Sequence, residues 1–231
     1  MSLRTLKRRL LRRAGLIPPK YKSFVNQNVD HYDSLGRSQF ELLRLFGLTE
    51  ASYLLDIGCG SLSGGRFAIR FLAPGHYFGI EPEAWLIEEA TAHELGRELL
   101  NAKKPTFSHN RDFNLGFFGR QFNFLMAHSI LTHASQSQIR TLLREAANVL
   151  SDEAIFLATY RPGETDYTGE DWVYPEGIRY RLECLQKLGT EAGLKCDPVP
   201  WPHPRQAWLA FFHQGSRAAE QRIATVLGET V

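Results

Sequence analysis

The stretch that decides the fold of this 231-residue chain is Leu54 to Gly65, L-L-D-I-G-C-G-S-L-S-G-G. An apolar run containing one acidic residue, Asp56, leads directly into a loop with four glycines. Short apolar runs that end in glycine-rich turns are typical of the first strand and first loop of α/β folds that bind nucleotides. We therefore interpret residues 53–57 as a buried strand and the glycine loop as a ligand-binding loop.

Strands and helices alternate after this loop. Two late strands are separated only by Trp201-Pro202-His203-Pro204-Arg205, which is too short for a crossover helix, so these two strands should be antiparallel. The pattern predicts a Rossmann-like, doubly wound α/β fold: a mostly parallel seven-stranded sheet with an antiparallel last strand and helices on both faces. Strands are predicted at 53–57, 76–80, 106–109, 122–127, 154–159, 194–199 and 206–213, and helices at 34–47, 62–72, 82–100, 135–150 and 180–191.

The charge of the chain is unevenly distributed. The first 22 residues hold eight of the 27 basic side chains and no acid, so the remaining residues carry 19 basic and 25 acidic side chains. Leu3, Leu6, Leu10 and Ala14 form one stripe at helical spacing, which predicts a short basic amphipathic helix. Two interpretations stay open: contact with an anionic membrane or acidic partner, or packing of the leucines on the domain. We predict residues 23–231 to form a single domain.

Composition excludes several other classes. No run of about 18 uncharged apolar residues is present, and the first twenty residues lack the apolar core of a secretory signal, so we expect a cytoplasmic protein. Three scattered cysteines, none in a C-x-x-C pair, indicate neither a disulfide framework nor a zinc site. The acidic body disfavours nucleic acid as a partner. Residues 129–135 hold no carboxylate cluster, and we predict no metal.

Three ligand classes compete for the glycine loop. A P-loop for ATP requires G-x-x-x-x-G-K-[ST], but Gly65 is followed by Arg66 and Phe67, so the phosphate-binding lysine and the magnesium-binding hydroxyl are missing. A dinucleotide site requires G-x-G-x-x-G, and Ser63 stands at the third glycine. The loop therefore disfavours ATP strongly and NAD less strongly, and neither motif accounts for Asp56.

The third class is indicated by a resemblance. Residues 55–60, L-D-I-G-C-G, resemble the first motif, [VIL]-[DE]-x-G-x-G, of class I S-adenosylmethionine-dependent methyltransferases. Residues 77–81, Y-F-G-I-E, resemble the second strand of that family, whose terminal acid is Glu81 here. Residues 122–129 resemble the fourth-strand motif, and Gly193-Leu194 with the late antiparallel pair completes the pattern. The resemblance covers roughly residues 50–213 and is closest to a bacterial subgroup that acts on small molecules and glycans.

The resemblance implies S-adenosylmethionine as the cofactor, held mainly by residues of the half that spans about 50–160. The glycines let the backbone approach the methionine end, Asp56 meets the α-amino group, and Glu81 accepts hydrogen bonds from both ribose hydroxyls. Asp112 matches the position that accepts from adenine N6, unless it only caps a turn, and Arg37 pairs with the cofactor carboxylate, unless it is an exposed helical arginine. The implied cofactor-binding residues are Arg37, Asp56, Gly58, Cys59, Gly60, Glu81, Pro82, Asp112, Phe113 and His128.

Two segments depart from the pattern of that family. Asn123 replaces the common aspartate of the fourth strand. Residues 62–65, L-S-G-G, stand where the bacterial subgroup has L-R-x-G, although residues 35–39, L-G-R-S-Q, match its upstream L-G-R-x-Q. The sequence gives no reason for the change at 62–65.

His128 and His133 follow the fourth strand, where the family places residues of the acceptor side. Either imidazole is a candidate catalytic base near neutral pH, and the alternative for each, which the sequence favours, is a histidine that only hydrogen-bonds a neighbouring loop. Residues 161–178 contain several glycines, prolines and aromatic side chains without a period, which predicts an acceptor-binding loop. The predicted acceptor-site residues are Asp166, Tyr167, Trp172 and His203, with Arg205 and Gln206 at the edge.

Together these features predict an enzyme that methylates a hydroxyl group of a small molecule or saccharide. Three alternatives stay open: methylation of an amine or carboxylate on another metabolite or peptide, a non-catalytic module that keeps the cofactor site, and a nicotinamide oxidoreductase.

Overall fold

The computed structural model describes residues 19–25 and 31–229, and most of the predicted helix of residues 1–22 lies outside this part of the chain. The described residues form one seven-stranded sheet. Its strands are β1 (Leu54–Ile57), β2 (Tyr77–Ile80), β3 (Thr106–Ser108), β4 (Phe122–Ala127), β5 (Leu150–Tyr160), β6 (Leu194–Val199) and β7 (Ala207–His213). Their order in the sheet is β3-β2-β1-β4-β5-β7-β6. β7 is antiparallel to β5 and to β6, and the other neighbouring pairs are parallel, which confirms the predicted fold class.

The helices are α1 (Lys20–Val25), α2 (Tyr32–Leu45), α3 (Gly65–Phe71), α4 (Ala84–Ala90), α5 (Arg97–Lys103), α6 (Gln136–Val149), α7 (Leu182–Glu191) and α8 (Arg217–Glu229). They cover both faces of the sheet, and alternate strand residues point to opposite sides. Leu55 faces the cluster that contains α6 and α7, whereas Leu54 faces the cluster that contains α2, α3 and α8. The strands are therefore buried on both faces and show the continuous apolar runs seen in the sequence.

Some helix boundaries differ from the prediction. The helix predicted at 82–100 is wrong as one element: α4 runs into a π-helical turn at Thr91–Leu95, and α5 begins after Gly96. Gly96 has φ +79°, a left-handed conformation that a helix cannot continue through. The predicted helix of residues 1–22 ends inside α1, and the sequence predicted no helix at α8. None of the described helices has the length and apolar character needed to cross a membrane.

Helix α2 packs closely on the L-S-G-G segment. A side chain at Gly36 of α2 would collide with the carbonyl group of Ser63, and a side chain at Gly64 would collide with the amide of Gln39. Ser63 itself, which stands where the resembling subgroup has arginine, lines a cavity, and nothing in the structure explains that change. The close packing fixes α2 over the glycine loop at the carboxyl edge of the sheet.

Candidate active site

A cavity of about 690 Å³ opens at the carboxyl ends of the parallel strands, beside the loop that leads into β7. This volume lies within the range of about 300–1,000 Å³ that is usual for ligand pockets. We call one side the glycine-loop half, formed by α2 and the loops after β1, β2 and β3, and the other the histidine half, formed by residues 128–133, 172–174 and 203–206. Of the predicted residues, Asp56, Gly58, Cys59, Gly60, Glu81, Pro82, Phe113, His128, His133, Trp172 and His203 line the cavity, whereas Arg37, Asp112, Asp166 and Tyr167 do not.

Gly58 shows why the loop after β1 requires glycine. Its φ is +67°, a conformation that costs other residues about 1–2 kcal/mol. A Cβ atom at Gly58 would also collide with the Ile130 side chain, which comes from the loop after β4. The two neighbouring loops therefore approach each other at a point where only a bare backbone fits.

Glu81 is held rigidly at the end of β2. One carboxylate oxygen accepts from the backbone N–H of Gly60 at 3.0 Å, and the other accepts from the N–H of Glu83 at 2.9 Å. Burial raises the pKa of Glu81, and these two hydrogen bonds oppose the rise. Each oxygen keeps a second lone pair, so the carboxylate can still accept hydrogen bonds from a pair of hydroxyl groups in the cavity.

Asp56 is an unusual buried acid at the end of β1. Its side chain accepts a hydrogen bond from the Tyr77 hydroxyl at 2.7 Å. Burial raises the pKa of Asp56 to about 7, against the effect of the Tyr77 bond and with a smaller contribution from the charge of Glu81. A cation placed beside Asp56 would restore its negative charge, and an ammonium group is such a cation.

The loop after β3 presents Asn110 and Phe113 to the cavity, and the Asp112 carboxylate accepts from the Asn114 N–H at 3.2 Å, as a turn cap does. Asn110 donates through Nδ2 to Ser108 Oγ at 3.1 Å and to the Asn114 carbonyl at 3.2 Å. Its Oδ1 atom is buried and has no hydrogen-bond partner among the described residues. A buried acceptor without a donor is costly, so a ligand donor reaching Oδ1 would be favoured.

Helix α2 contributes Gln39 to the cavity, whereas Arg37 lies on its outer side. The Arg37 side chain is exposed, with its guanidinium 5.2 Å from the centre of the Phe67 ring. Gln39 is only 6 % exposed, and its Nε2 atom is buried with no hydrogen-bond partner among the described residues. Residues two apart lie on opposite sides of a helix, so the two side chains cannot both reach the cavity.

His203 and His128 form a hydrogen-bonded pair in the histidine half, with 3.1 Å between their Nε2 atoms. The Nδ1 atom of His203 accepts from the backbone N–H groups of Arg205 at 3.2 Å and Gln206 at 2.9 Å. The proton of neutral His203 is therefore on Nε2 and is donated to Nε2 of His128. Burial lowers the pKa of His128 to about 3 and that of His203 to about 4, so both rings are neutral near pH 7.

The His203 bond fixes the tautomer of His128 as well. Because Nε2 of His128 accepts, its proton is on Nδ1, which lies 3.5 Å from the Ser129 hydroxyl. Ser129 Oγ also accepts from the Gln206 amide at 2.8 Å. Ser129 has φ +61°, held by a 2.7 Å hydrogen bond from its N–H to Thr159 Oγ1. His128 is thus a hydrogen-bond donor in this arrangement, and no lone pair is left for it to act as a base.

His133 has the opposite arrangement. Its Nδ1 atom lies 2.8 Å from the Val173 carbonyl oxygen and 2.7 Å from that of Glu176, so Nδ1 carries the proton and donates to both. Nε2 then holds the lone pair and has no hydrogen-bond partner among the described residues. Burial lowers the pKa of His133, with a further lowering by the charge of Arg161. His133 is therefore a neutral imidazole that lines the cavity with a free lone pair near pH 7.

The 161–178 loop is held in place by hydrogen bonds from residues outside it, including His133. The Asp166 carboxylate accepts from Arg181 Nη2 at 2.6 Å, and the Tyr167 carbonyl accepts from the Gln136 amide at 2.9 Å. These contacts make Asp166 and Tyr167 supports of the loop. Trp172 and Tyr174 lie further along and reach the cavity, each with a ring centre within 5.5 Å of that of His133.

Helix α1 covers one side of the cavity, and we call this helix, Lys20–Val25, the roof. Phe24 and Val25 line the cavity, and the Tyr174 hydroxyl donates to the Phe24 carbonyl at 2.6 Å. In the middle of α1, Lys22 pairs with Glu94 at 2.8 Å. The roof therefore joins the chain before α2 to the acceptor loop, two segments that are 150 residues apart.

No group of three or more His, Cys, Asp or Glu side chains that could hold a metal ion occurs among residues 19–25 and 31–229. Cys59 lines the cavity, but burial raises the pKa of its thiol well above the ordinary value. Cys59 is therefore an uncharged thiol at neutral pH and contributes packing.

No protein-family model matches the sequence, and a comparison with curated proteins finds no significant match. Solved structures do match. Magnesium protoporphyrin IX methyltransferase from Synechocystis PCC 6803, with bound S-adenosylhomocysteine, superposes with a TM-score of 0.62 at 14 % identity over 91 % of this chain and 94 % of that one. The chain shares its fold.

Two further matches have the same fold. The sugar N-methyltransferase KedS8 from a Streptoalloteichus species has a TM-score of 0.62 at 13 % identity over 86 % of this chain and 94 % of that one. The O-methyltransferase NcsB1 of neocarzinostatin biosynthesis, in complex with S-adenosylhomocysteine and 1,4-dihydroxy-2-naphthoic acid, has a TM-score of 0.54 at 14 % identity over 79 % and 57 %. All three are methyltransferases, and their acceptors differ.

Sequence reasoning missed several cavity residues, among them Gln39, Asn110 and Ser129. Gln39 had a usable signal, because it stands three and seven residues before the buried Leu42 and Phe46 and so shares their helix face. Asn110 had none, since the matching position fell on Asp112. Ser129 had no signal in the sequence either, because its place in the hydrogen-bond network depends on the side chains of Gln206 and His128 that contact it in the fold.

Proposed function

We propose that this protein is an S-adenosylmethionine-dependent methyltransferase that transfers a methyl group to a hydroxyl oxygen of a small molecule or saccharide. One observation carries the proposal. A single cavity combines a glycine-loop half suited to a nucleoside joined to an amino acid with a histidine half that contains an imidazole with a free lone pair. The shared fold with methyltransferases supports it.

The residues of the glycine-loop half fit this cofactor. Glu81 has two lone pairs for the ribose hydroxyls, Asn110 has an unpartnered Oδ1 for the adenine amino group, and Asp56 has a carboxyl that an ammonium would ionise. When bound, S-adenosylmethionine would supply a methyl group carried on a positively charged sulfur. The acceptor atom would attack the methyl carbon in line with the carbon–sulfur bond, and the sulfur would leave with the bonding electrons. Gly58 and Gly60 both line the cavity, so a ligand there can lie against the backbone of the loop.

In the histidine half, His133 is the proposed base. The Val173 and Glu176 carbonyls fix its proton on Nδ1, so Nε2 takes the proton that the acceptor hydroxyl loses as its oxygen bonds to the methyl carbon. His128 donates a hydrogen bond and orients Ser129. Trp172, Tyr174 and the α1 roof exclude water from the reacting atoms.

Calorimetry with S-adenosylmethionine, S-adenosylhomocysteine and NAD tests the cofactor. We expect the first two to bind and NAD not to bind. Absence of binding by both adenosyl compounds would overturn the proposal, and binding of NAD alone would favour the oxidoreductase.

The acceptor atom is tested by turnover with ¹³C-methyl S-adenosylmethionine and a library of hydroxy compounds and saccharides. The carbon chemical shift of the transferred methyl group distinguishes an ether, an amine and an ester. An ether product supports hydroxyl methylation. An N-methyl or ester product would replace it with one of the alternatives, and cofactor binding without any methylated product would favour the non-catalytic module.

We further propose that the basic segment of residues 1–22 brings the protein to anionic membrane surfaces. Eight basic side chains without an acid support this, since each basic residue near such a surface contributes about 1 kcal/mol. The full chain should sediment together with vesicles of anionic lipid at low salt and stay in the supernatant at high salt. Equal sedimentation of a chain that lacks residues 1–18 would contradict the proposal.

A further inference from the structure

Charge is divided between the two halves of the cavity. Three carboxylates line it, Asp56, Glu81 and Glu83, and all three belong to the glycine-loop half. The lining of the histidine half includes no carboxylate and one side chain that is always charged, Arg205. This half is positive although the sequence after residue 22 carries more acidic than basic side chains.

Arg161, Arg179 and Arg205 are three arginines that lack acidic partners, and of these Arg205 lines the cavity. Among the described residues, no carboxylate lies within 4.0 Å of the guanidinium nitrogens of Arg161, Arg179 or Arg205. Arg179 donates to the Pro162 carbonyl at 2.7 Å, which fixes its position but does not neutralise it. The Arg161 guanidinium lies against the backbone of Gly177, in the acceptor loop. Partial burial, and then the charges of Arg205 and Arg179, lower the pKa of Arg161.

Arg205 lines the cavity without a counter-charge, and an anion bound beside it would supply one. A neutral group on the same wall is also suited to an anion. Ser129 Oγ accepts from Gln206 and from Nδ1 of His128, which leaves its own hydrogen free to donate. Gln206 Oε1, a side-chain acceptor on this wall, is buried.

We propose that the methyl acceptor carries an anionic oxygen group, a carboxylate or a phosphate, and that Arg205 binds this group at the edge of the histidine half. The proposal rests on the proposed methyltransferase function and specifies its substrate class. Arg205 is a specificity residue here. Its planar guanidinium holds two oxygens of such a group at once, as a lysine would not.

Turnover of matched acceptors tests the proposal. Each hydroxy compound is supplied as the free carboxylate, as a phosphate ester and as the neutral methyl ester, and release of S-adenosylhomocysteine is measured. We expect kcat/KM to be about tenfold or more higher for one of the anionic forms than for the neutral form, and the two anionic forms distinguish carboxylate from phosphate. Equal or better turnover of the neutral forms would overturn the proposal.

Variants at Arg205 show whether this arginine is responsible. Arg205→Ala should lose about tenfold or more of kcat/KM for the anionic form, mainly through KM, and leave the neutral form unchanged. Arg205→Lys should keep part of the preference. Arg144→Ala, which removes an exposed arginine of α6, serves as the matched control and should change neither value. An unchanged preference in Arg205→Ala would overturn the assignment.

A binding measurement separates this inference from the proposed function. Benzoate and inorganic phosphate are titrated into protein saturated with S-adenosylhomocysteine, and the side-chain ¹⁵N signals of arginine are followed. We expect one of the anions to shift the Arg205 signal and Arg205→Ala to lose the binding. If neither anion binds while S-adenosylhomocysteine does, the inference fails and the cofactor assignment stands.

Discussion

The two halves of the cavity are built in different ways. In the glycine-loop half, the important groups lie at the ends of adjacent parallel strands and are fixed by local backbone, as Glu81 is fixed by the N–H groups of Gly60 and Glu83. In the histidine half, the groups come from residues 128–133, 172–174 and 203–206 and are oriented by one another. The first half is therefore encoded by spacing within the sequence, and the second by tertiary contacts.

The largest effect should come from His133, the proposed base. His133→Ala should lower kcat by about 10²–10⁴-fold, the usual contribution of a positioned base. Burial and Arg161 place the pKa of His133 below 6.5, so the wild-type rate should be constant above that value and fall as the pH drops through the lowered pKa. Steady-state kinetics across pH 4–9 measure both.

The control for this variant is His213→Ala, which removes a histidine at the far end of β7 whose Nε2 lies 3.2 Å from the Leu150 carbonyl. It should leave kcat and its pH dependence unchanged. A His133→Ala variant with wild-type kcat would remove His133 from the mechanism, and with it the functional distinction between His133 and His128.

The next largest effect should be at Glu81 in the glycine-loop half. Glu81→Ala removes the hydrogen bonds to a ribose diol and should weaken binding of S-adenosylhomocysteine by about 1–3 kcal/mol in calorimetry. Glu98→Ala, at an exposed position on α5, provides the control and should bind as the wild type does. Wild-type affinity in Glu81→Ala would show that this half does not hold the ribose at the end of β2.

The same contrast explains what the sequence predicted and what it did not. The fold, the glycine loop and the placing of Glu81 at the carboxyl end of β2 followed from hydrophobic period and spacing. The sequence could not tell how His128 and His133 differ, because the difference lies in the partner that each ring nitrogen contacts. His128 contacts the imidazole of His203, 75 residues away, and His133 contacts the carbonyl of Val173, 40 residues away. The break in the predicted helix at 82–100 came from Gly96, whose conformation the helical pattern did not reveal.

A smaller, chemically specific effect is expected at Asp56. Burial raises the pKa of Asp56 to about 7, so both protonation states of Asp56 are populated at pH 7 in the ligand-free protein. The ammonium of S-adenosylhomocysteine favours the charged carboxylate and lowers that pKa, so binding should release a fraction of a proton at pH 7. Calorimetry in buffers of different ionisation enthalpy measures this number.

Two controls test the Asp56 assignment. Methylthioadenosine, which has no amino acid portion, should bind without releasing a proton from Asp56. Asp56→Asn should release none with either ligand. Equal proton release by both ligands in the wild-type protein would place the ammonium elsewhere.

The smallest effect should come from the contact that joins the roof to the histidine half. Tyr174→Phe removes the hydrogen bond to the Phe24 carbonyl, worth about 0.5–1.5 kcal/mol, and we expect the lower end because Tyr174 is 43 % exposed. Backbone amides of α1 should exchange hydrogen a few-fold faster, while those of β1 stay protected. Tyr53→Phe is the control, since the Tyr53 hydroxyl makes no hydrogen bond within the described chain. If exchange in α1 does not change, the contacts of α1 with Glu94 and Trp85 hold this helix without the Tyr174 hydrogen bond.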